Sequence, residues 1–562
     1  MKAVALLFAG LFAVAGACSS CKCFPGDHCW PSSAQWAKFN QTVGGRLIAT
    51  VPLAEACHDP KFNAEACEAL RDQWQYPDVH MNDSASVMAP FFADQACDPF
   101  TEQSKPCTLG NYVQYAVEVR SSADVIATIE FARKKNIRFV IRNTGHDYLG
   151  RSTGAGALSV WTHGLKDIEF TTYKSSHYNG SAVKVGAGVQ GYDALIAGRE
   201  VGQVVVGGEC PTVGVAGGYT QGGGHSALST SFGLSADNTL EFDVVTAAGK
   251  LVTASRTKNT DLYWALSGGG GGNYGVVISM TVKSHPDSVV GGATLAFFSS
   301  NTPSDKFYAA IDAFHDALPA MVQSGTMVVY YFTSTFFMIS PVTAYNKTAV
   351  EVEAIMAPFM ATLDSMEVSY TSAFSEHASY YDHYNQYFGP LPTGAIQVGI
   401  AQYGGRLIPI SVVQNNGTAL AATARNIAEQ GVTWIGVGTD VSRFGKNKVN
   451  AVLPAWRDAL VHVTLTTPWS FEPSMWTEMI ELQDLMTNEI MPAIEAVTPG
   501  SGAYMNEADF RQLNFQREFF GANYAKLLEI KKKFDPSSFF YATKAVGSEK
   551  WSIAEDGRMC SS

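Results

Sequence analysis

Two short segments constrain this chain more than anything else in it. One is Arg142-Asn143-Thr144-Gly145-His146-Asp147-Tyr148. The other is Gly208-Glu209-Cys210-Pro211-Thr212-Val213-Gly214-Val215, which runs on into Ala216-Gly217-Gly218 and Gly222-Gly223-Gly224. Each sets one nucleophile, an imidazole or a thiol, where a strand passes into a turn. Glycine carries no Cβ, so a flat ring can lie against the backbone at both places. A fold that uses both segments must bring His146 and Cys210 to one site.

The surrounding pattern shows how they are delivered. Tyr112 to Val119 alternates like a strand, and Ser121-Ser122-Ala123-Asp124 offers an N-cap to a helix with Ile126, Ile129 and Ala132 on one face. Ile137 to Ile141 returns as a buried strand, so a β-α-β unit presents His146 at a strand's C-terminal end, the usual ligand side of such sheets. Short strands are expected at Ala157 to Trp161, Ala182 to Gly186 and Val204 to Val206, with a helix from Tyr192 to Arg199 before the last. A hairpin is expected at Phe242 to Val245 and Leu251 to Thr253, then a short helix at Asp261 to Leu266, and a strand at Gly275 to Val282. The glycine run 268–272 is not a phosphate loop of the Walker type, because no Gly-Lys-Ser/Thr follows and a strand comes next. His285-Pro286 marks a domain edge.

Residues 287–500 change texture. Helix-period stretches at Asp305 to Leu318, Val350 to Leu363 and Met475 to Val497 alternate with apolar strands such as Met327 to Phe337 and Ile396 to Tyr403. This is the pattern of an antiparallel sheet carrying helices on one side. Within it, 377–388 packs aromatic and polar groups closely enough to line a pocket, or else forms a loop whose tyrosines cover the sheet.

At 562 residues, with 46% hydrophobic and 16% charged, the chain is too long for one simple core and predicts at least two domains. A net charge of −12 makes nucleic acid an unsuited partner, and Lys531-Lys532-Lys533 reads as a solvated helix face. Met1-Lys2, an apolar run to Val14 and the exit Ala15-Gly16-Ala17 read as a secretory leader, with the mature chain starting near Cys18. No stretch reaches the roughly 20 apolar residues of a membrane span.

Export agrees with the cysteines and sequons. Eight of the ten cysteines precede Tyr112 and read as a disulfide-stapled extension, while Cys210 and Cys560 stand apart. A zinc site at Cys18, Cys21, Cys23 and Cys29 ranks below disulfides, because no second Cys/His cluster follows. With Cys210 set aside the count is odd, so one cysteine is free, removed on processing or paired between chains. Asn40, Asn82, Asn179, Asn346 and Asn416 each head an Asn-x-Ser/Thr sequon and are expected to carry glycans.

The first segment resembles the Arg-x-Ser/Thr-Gly-Gly/His stretch, and the second the Cys-Pro-Thr-Val-Gly motif, of the berberine-bridge-enzyme-like branch of the vanillyl-alcohol-oxidase flavoproteins. The tail Tyr504-Met505-Asn506-Glu507, Asn523-Tyr524-Ala525-Lys526-Leu527 and Lys533-Phe534-Asp535-Pro536 is similar to that branch too. The resemblance covers residues 108–285 and 500–545. It implies an α+β fold with a PCMH-type, two-subdomain FAD-binding domain and a substrate domain of antiparallel sheet with helices. The division is a leader at 1–17, a Cys-rich extension at 18–107, the FAD-binding domain at 108–286, the substrate domain at 287–500 and a returning tail at 501–562.

The same resemblance implies FAD bonded to both His146 and Cys210. It places Arg142, Asn143, Thr144, Gly145, Asp147, Val213, Gly214, Gly217, Gly218, Gly275, Val277 and Asn506 around that cofactor. Val213 fills the position that gates dioxygen in the family, and a small side chain there suits an oxidase. Tyr504 and Asn506 match a Tyr-x-Asn-Tyr motif whose second Tyr is the base in many relatives. Glu507 stands in its place, so either this carboxylate does that work, or the base comes from elsewhere and Glu507 is a surface or Arg-paired residue.

The Cys21 to Asp27 start, Trp30-Pro31 and Gly44-Gly45-Arg46 resemble secreted fungal members labelled isoamyl alcohol oxidases. The expected activity is that of a secreted, monomeric oxidase taking hydride from an alcohol carbon of a small alcohol or carbohydrate and passing electrons to O2, giving H2O2. A tailoring enzyme of secondary metabolism that closes a ring or forms a double bond is the alternative, and a non-catalytic flavoprotein a further one. Neither metal nor membrane enters this reading.

Overall fold

The computed structural model describes residues 21–445 and 449–562. The expected leader and Cys18 lie outside the described residues. The β-α-β unit forms as its sequence dictates. The helix Ser122–Lys134 starts at Ser121, where Asp124 reaches back to the N-cap backbone in a capping box. It carries Val125, Ile129 and Ala132 into a core beneath Tyr115–Glu118, Leu158–Trp161 and Phe139–Arg142, strands that pair in parallel. Leu47–Ala49 adds an antiparallel edge. Trp36, Phe39 and Val43 pack into the same core, so the Cys-rich extension completes the first subdomain.

The second subdomain is a five-stranded antiparallel sheet in the order Ile168–Lys174, Asn179–Gly186, Val276–Lys283, Thr239–Val245, Leu251–Ser255. Its core takes in Ala503, Met505, Phe519, Phe520, Leu527 and Ile530 from the C-terminal tail. The tail's Lys531 is not a solvated residue. It is buried, its ammonium bonded to Asp535 and to the carbonyls of Asn273 and Phe540 at 2.7, 2.7 and 2.8 Å.

The third sheet has seven antiparallel strands in the order Thr371–His377, Val290–Phe298, Phe336–Tyr345, Met327–Phe332, Thr433–Gly438, Ala459–Pro468, Ala401–Pro409. Side chains alternate across it. Val328, Tyr330, Trp434, Val463 and Leu465 face a core shared with the helices Ser304–Gln323, Ala349–Ser365 and Ile410–Glu429. Val329, Tyr331, Ile435, Val437 and Thr464 face the other way, into a cavity against the first two sheets. The stretch expected as one strand from Met327 to Phe337 is broken by a turn at Thr333 to Thr335 into a hairpin, because three hydroxyl residues interrupt the apolar run. The strand expected from Ile396 begins only at Ala401, and Ala395 to Gly399 line the cavity as irregular chain.

Among the described residues, four disulfides join Cys21–Cys560, Cys23–Cys29, Cys57–Cys67 and Cys97–Cys107. Cys560, which the sequence leaves apart, closes onto the N-terminal arm. Cys210 is free. Among the described residues no helix is long and apolar enough to cross a membrane.

Candidate active site

All three sheets and the tail meet at a cavity of about 530 Å³. It is lined by Asn143, Gly145, His146 and Asp147 from the first segment, by Glu209, Cys210, Val213, Gly214, Gly217 and Gly218 from the second, by Gly275 and Val277, and by Tyr504, Asn506 and Glu507. Two residues predicted for this site are elsewhere. Thr144 is buried but does not line the cavity. Arg142 points backwards, its Nη2 donating to the carbonyls of His80 and Asp83 in the extension at 2.9 and 3.2 Å. The guanidinium passes so close that a Cβ on Gly145 would lie 2.7 Å from it, and Gly145 has φ +91°, so only glycine fits that turn.

His146 and Cys210 come together through Thr212. The Thr212 hydroxyl lies 2.7 Å from His146 Nε2 and 3.3 Å from Cys210 Sγ. Burial, with the nearby charges of His80 and Arg142, lowers the His146 pKa to about 4, so the ring is a neutral nucleophile at ordinary pH. Burial pushes the Cys210 thiol up, against hydrogen bonds from Thr212. The Asp147 carboxylate folds back on its own turn and accepts from the backbone N–H of Arg151.

The cavity fits a flat, polar-edged cofactor. A Cβ at Gly218 would meet no atom within 4 Å and would stand in the cavity, and one at Gly217 would meet only Asn143, at 4.0 Å. Asn143 Oδ1, Arg151 Nη2 and Gln221 Oε1 border the same space and are buried with no hydrogen-bond partner among the described residues. Such groups are costly to leave unpaired and mark where a ligand's heteroatoms belong. Asn506 holds the tail to this floor, its Nδ2 donating to Gly218 O at 2.9 Å and to the Tyr504 hydroxyl at 2.8 Å.

Glu507 is neither a surface residue nor Arg-paired. Its Oε1 accepts from His225 Nε2 at 2.9 Å, and its Oε2 from His462 Nε2 at 2.8 Å and the Thr464 hydroxyl at 3.1 Å. Burial opposes its charge, but the two imidazoles outweigh burial and hold the carboxyl well below the usual range. For His225, burial is likewise outweighed by Glu507 and Glu209, and its pKa rises to about 9. Burial lowers His462, whose ring is fully covered. Ligand atoms of His225, His462 and Glu507 lie within 4.8 Å of one another, but each carboxylate oxygen already faces a different imidazole, the arrangement of a hydrogen-bonded triad.

Sequence reasoning missed His225, His462 and Thr212. His225 directly follows the run Gly222 to Gly224, and Thr212 sits inside the second motif, so both were within reach. The only signal for His462 is that it, Thr464 and Thr466 are polar at a period of two along their strand. The 377–388 stretch contains a helix, Tyr380–Phe388, not a loop. Tyr380 and Tyr384 are buried against the sheet, while Tyr387 and Phe388 reach the cavity.

Two family models match the chain, one for an FAD binding domain over residues 113–255 and one for berberine and berberine-like proteins over residues 503–547. The FAD-linked oxidoreductase ZEB1 of Gibberella zeae is 58% identical over 549 residues, covering 98% of this chain and 96% of its own. The bifunctional decalin synthase calF of Penicillium decumbens is 40% identical over 552 residues, 96% of each. The solved structure of the VAO-type flavoprotein MtVAO615 from Myceliophthora thermophila superposes with a TM-score of 0.93 at 41% identity, covering 97% of this chain and 100% of that one. The chain is an FAD-dependent oxidoreductase belonging to the berberine-bridge-enzyme-like branch of the VAO-type flavoproteins.

Proposed function

We propose that the protein is a secreted oxidase that holds FAD through both His146 and Cys210, takes hydride from an alcohol carbon and passes the electrons to O2, releasing H2O2. The carrying observation is the Thr212 bridge between His146 and Cys210 on one wall of the cavity. Thr212 engages Nε2, which leaves Nδ1 of the neutral imidazole for the cofactor bond. In this reading residues 108–286 and 501–562 hold the cofactor, and residues 287–500 supply the substrate wall.

When bound, FAD supplies the two-electron acceptor for the substrate hydride. The chain's own groups bind, orient and move a proton. The third sheet's wall of Val329, Tyr331, Tyr403, Ile435 and Val437 offers apolar contact and few hydrogen-bonding groups, which favours a lipophilic alcohol over an oligosaccharide. The cluster of His225, Glu507 and His462 stands on the same cavity, with Glu507 kept ionised at acid pH. Val213 leaves a small side chain beside Cys210, as an oxidase needs for O2 to approach.

A second reading keeps the cofactor and changes the product. Similarity to a protein named as a decalin synthase, together with the apolar wall, favours a tailoring enzyme that oxidises a lipophilic metabolite, by ring closure or desaturation.

The experiment is acid precipitation and intact-mass analysis of wild type, His146→Ala, Cys210→Ala and the double variant, followed by a peroxide assay over apolar alcohols and sugars. Colour should stay with the chain in wild type and in both single variants and wash out of the double. Colour lost from wild type sinks the two-bond reading. Oxidised or cyclised product without peroxide sinks the oxidase reading and leaves the tailoring enzyme.

A further inference from the structure

Glu209 precedes Cys210 in the second motif and has no part in the chemistry described so far. Its side chain enters the same cavity, and its Oε1 is buried with no hydrogen-bond partner among the described residues. The backbone behind it is pinned, because the Tyr384 hydroxyl lies 2.9 Å from the carbonyl of Gly208 and 2.8 Å from that of Glu209. Further in, Nδ1 of His225 stands 3.7 Å from Glu209 Oε1 and also lacks a hydrogen-bond partner. His225 Nε2 then engages Glu507, and Glu507 engages His462. The four side chains form a row from the cavity into the third sheet. Of its two carboxylates, Glu507 has both oxygens hydrogen-bonded, whereas Glu209 Oε1 accepts no hydrogen bond and faces the His225 imidazole only at ion-pair distance.

That difference decides their roles. A carboxylate whose oxygens already accept from two imidazoles and a hydroxyl binds a further proton poorly. A carboxylate with an oxygen that accepts no hydrogen bond, on a residue lining the cavity where substrate must sit, is placed to take one. We propose that Glu209 accepts the hydroxyl proton during substrate oxidation, while His225, fixed by Glu507 and His462, orients it as a positioning residue. The proposal rests on the alcohol-oxidising reading above. In the step, the substrate C–H bond breaks and its electron pair leaves with the hydrogen as hydride to FAD. The O–H bond breaks and its pair becomes the second bond of the product carbonyl. The proton lands on the Glu209 carboxylate, leaving a carbonyl compound and a neutral carboxylic acid.

The charges facing Glu209 come from every side of the pocket: His225, Glu507 and Cys210, and the hydroxyls of Tyr219, Tyr331, Tyr380 and Tyr384. Burial raises the Glu209 pKa to about 7, opposed by His225 and reinforced by Glu507. The accepting form is therefore present above that pH, with a proton affinity matched to neutral solution.

The test uses the flavin-loaded enzyme and its Glu209→Gln and Glu209→Asp variants. In anaerobic rapid mixing with a saturating alcohol, wild-type flavin reduction should rise with pH through about 7 and then level. Glu209→Gln should lose that ionisation and react about a hundredfold more slowly. Glu209→Asp should keep the ionisation at a reduced rate. Independently of turnover, difference infrared spectra of the holoenzyme should show a carboxylic-acid carbonyl band that vanishes with a midpoint near 7 in wild type and is missing from Glu209→Gln. A band titrating there in Glu209→Gln, or a rate profile that this variant leaves intact, overturns the proposal. Its failure alone is seen as alcohol-driven reduction that survives in Glu209→Gln. Failure of the underlying reading is seen as wild-type flavin that no alcohol reduces, and Glu209's role falls with it.

Discussion

The hydroxyl of Thr212 stands 2.7 Å from Nε2 of His146, the ring proposed to carry one bond to FAD. The hydrogen bond restrains the ring's rotation, and the same oxygen reaches Cys210 Sγ at 3.3 Å. Thr212→Val keeps the shape and removes the bond. A hydrogen bond worth about 1 kcal/mol corresponds to roughly fivefold slower attachment. Intact masses taken during reconstitution with FAD should show singly bonded species accumulating in the variant. Attachment as fast and complete as in wild type would mean that Thr212 only packs.

The site's pH dependence follows from His225 and Glu507. The folded pKa of His225, about 9, lies above its ordinary 6.5, so its contribution to stability is complete below pH 6.5 and lost as pH rises through 9. Glu507 is shifted the opposite way, so its contribution is present above the ordinary 4.5 and lost as the pH falls into strong acid. Above pH 7 Glu209 has already ionised, and the remaining alkaline limb belongs to His225. Stability should fall there by up to about 1.4 kcal/mol per pH unit. Melting temperatures of wild type and His225→Gln between pH 7 and 9 check this. Parallel curves would refute the assignment.

Most of the frame of this site is legible in the sequence because it is built locally. Ser121 and Asp124 announce the helix that leads into the strand delivering His146, and the glycines flanking Cys210 announce a backbone open to a ring. What is not legible depends on partners far along the chain. Lys531 looks like one of three surface lysines until the carbonyl of Asn273, 258 residues away, closes on it. Arg142 belongs to the motif by position, yet its guanidinium answers to His80 and Asp83 in an extension that carries no motif of its own. Glu507 could be flagged only as an unexpected carboxylate, because His225 and His462 reach it from 282 and 45 residues away.

The tail is locked to the third sheet by a buried ion pair. Arg406 donates to Glu518 at 2.6 Å and to Thr498 Oγ1 and O at 2.7 and 2.8 Å, with 3% and 2% of the two charged side chains exposed. Arg406→Met leaves Glu518 buried with only Arg517 beside it, and should cost about 3 kcal/mol. Adding Glu518→Gln should recover most of that, since no buried charge then remains unpaired. Denaturant titrations of the single and double variants decide it. A double variant no more stable than the single one would show that the pair does more than neutralise itself.

The longest covalent loop makes the last prediction. Cys21 pairs with Cys560 across a separation of 539 residues. The same clasp is stitched by Lys22 N–H to Met559 O at 2.8 Å and by Arg558 to Asp27. On the arm's other side, Cys23 N–H bonds to Asn136 O at 2.8 Å, just before the strand that delivers His146. A loop this long removes more unfolded-chain entropy than a short one, about 6 kcal/mol in the chain-entropy account. The double variant Cys21→Ser/Cys560→Ser should therefore melt well below wild type and be clipped first within residues 548–562 under limited proteolysis. FAD should still attach, because none of these residues touches the cavity. Loss of bound FAD along with the clasp would show that the arm holds the His146 strand in place, and would make the disulfide part of cofactor assembly.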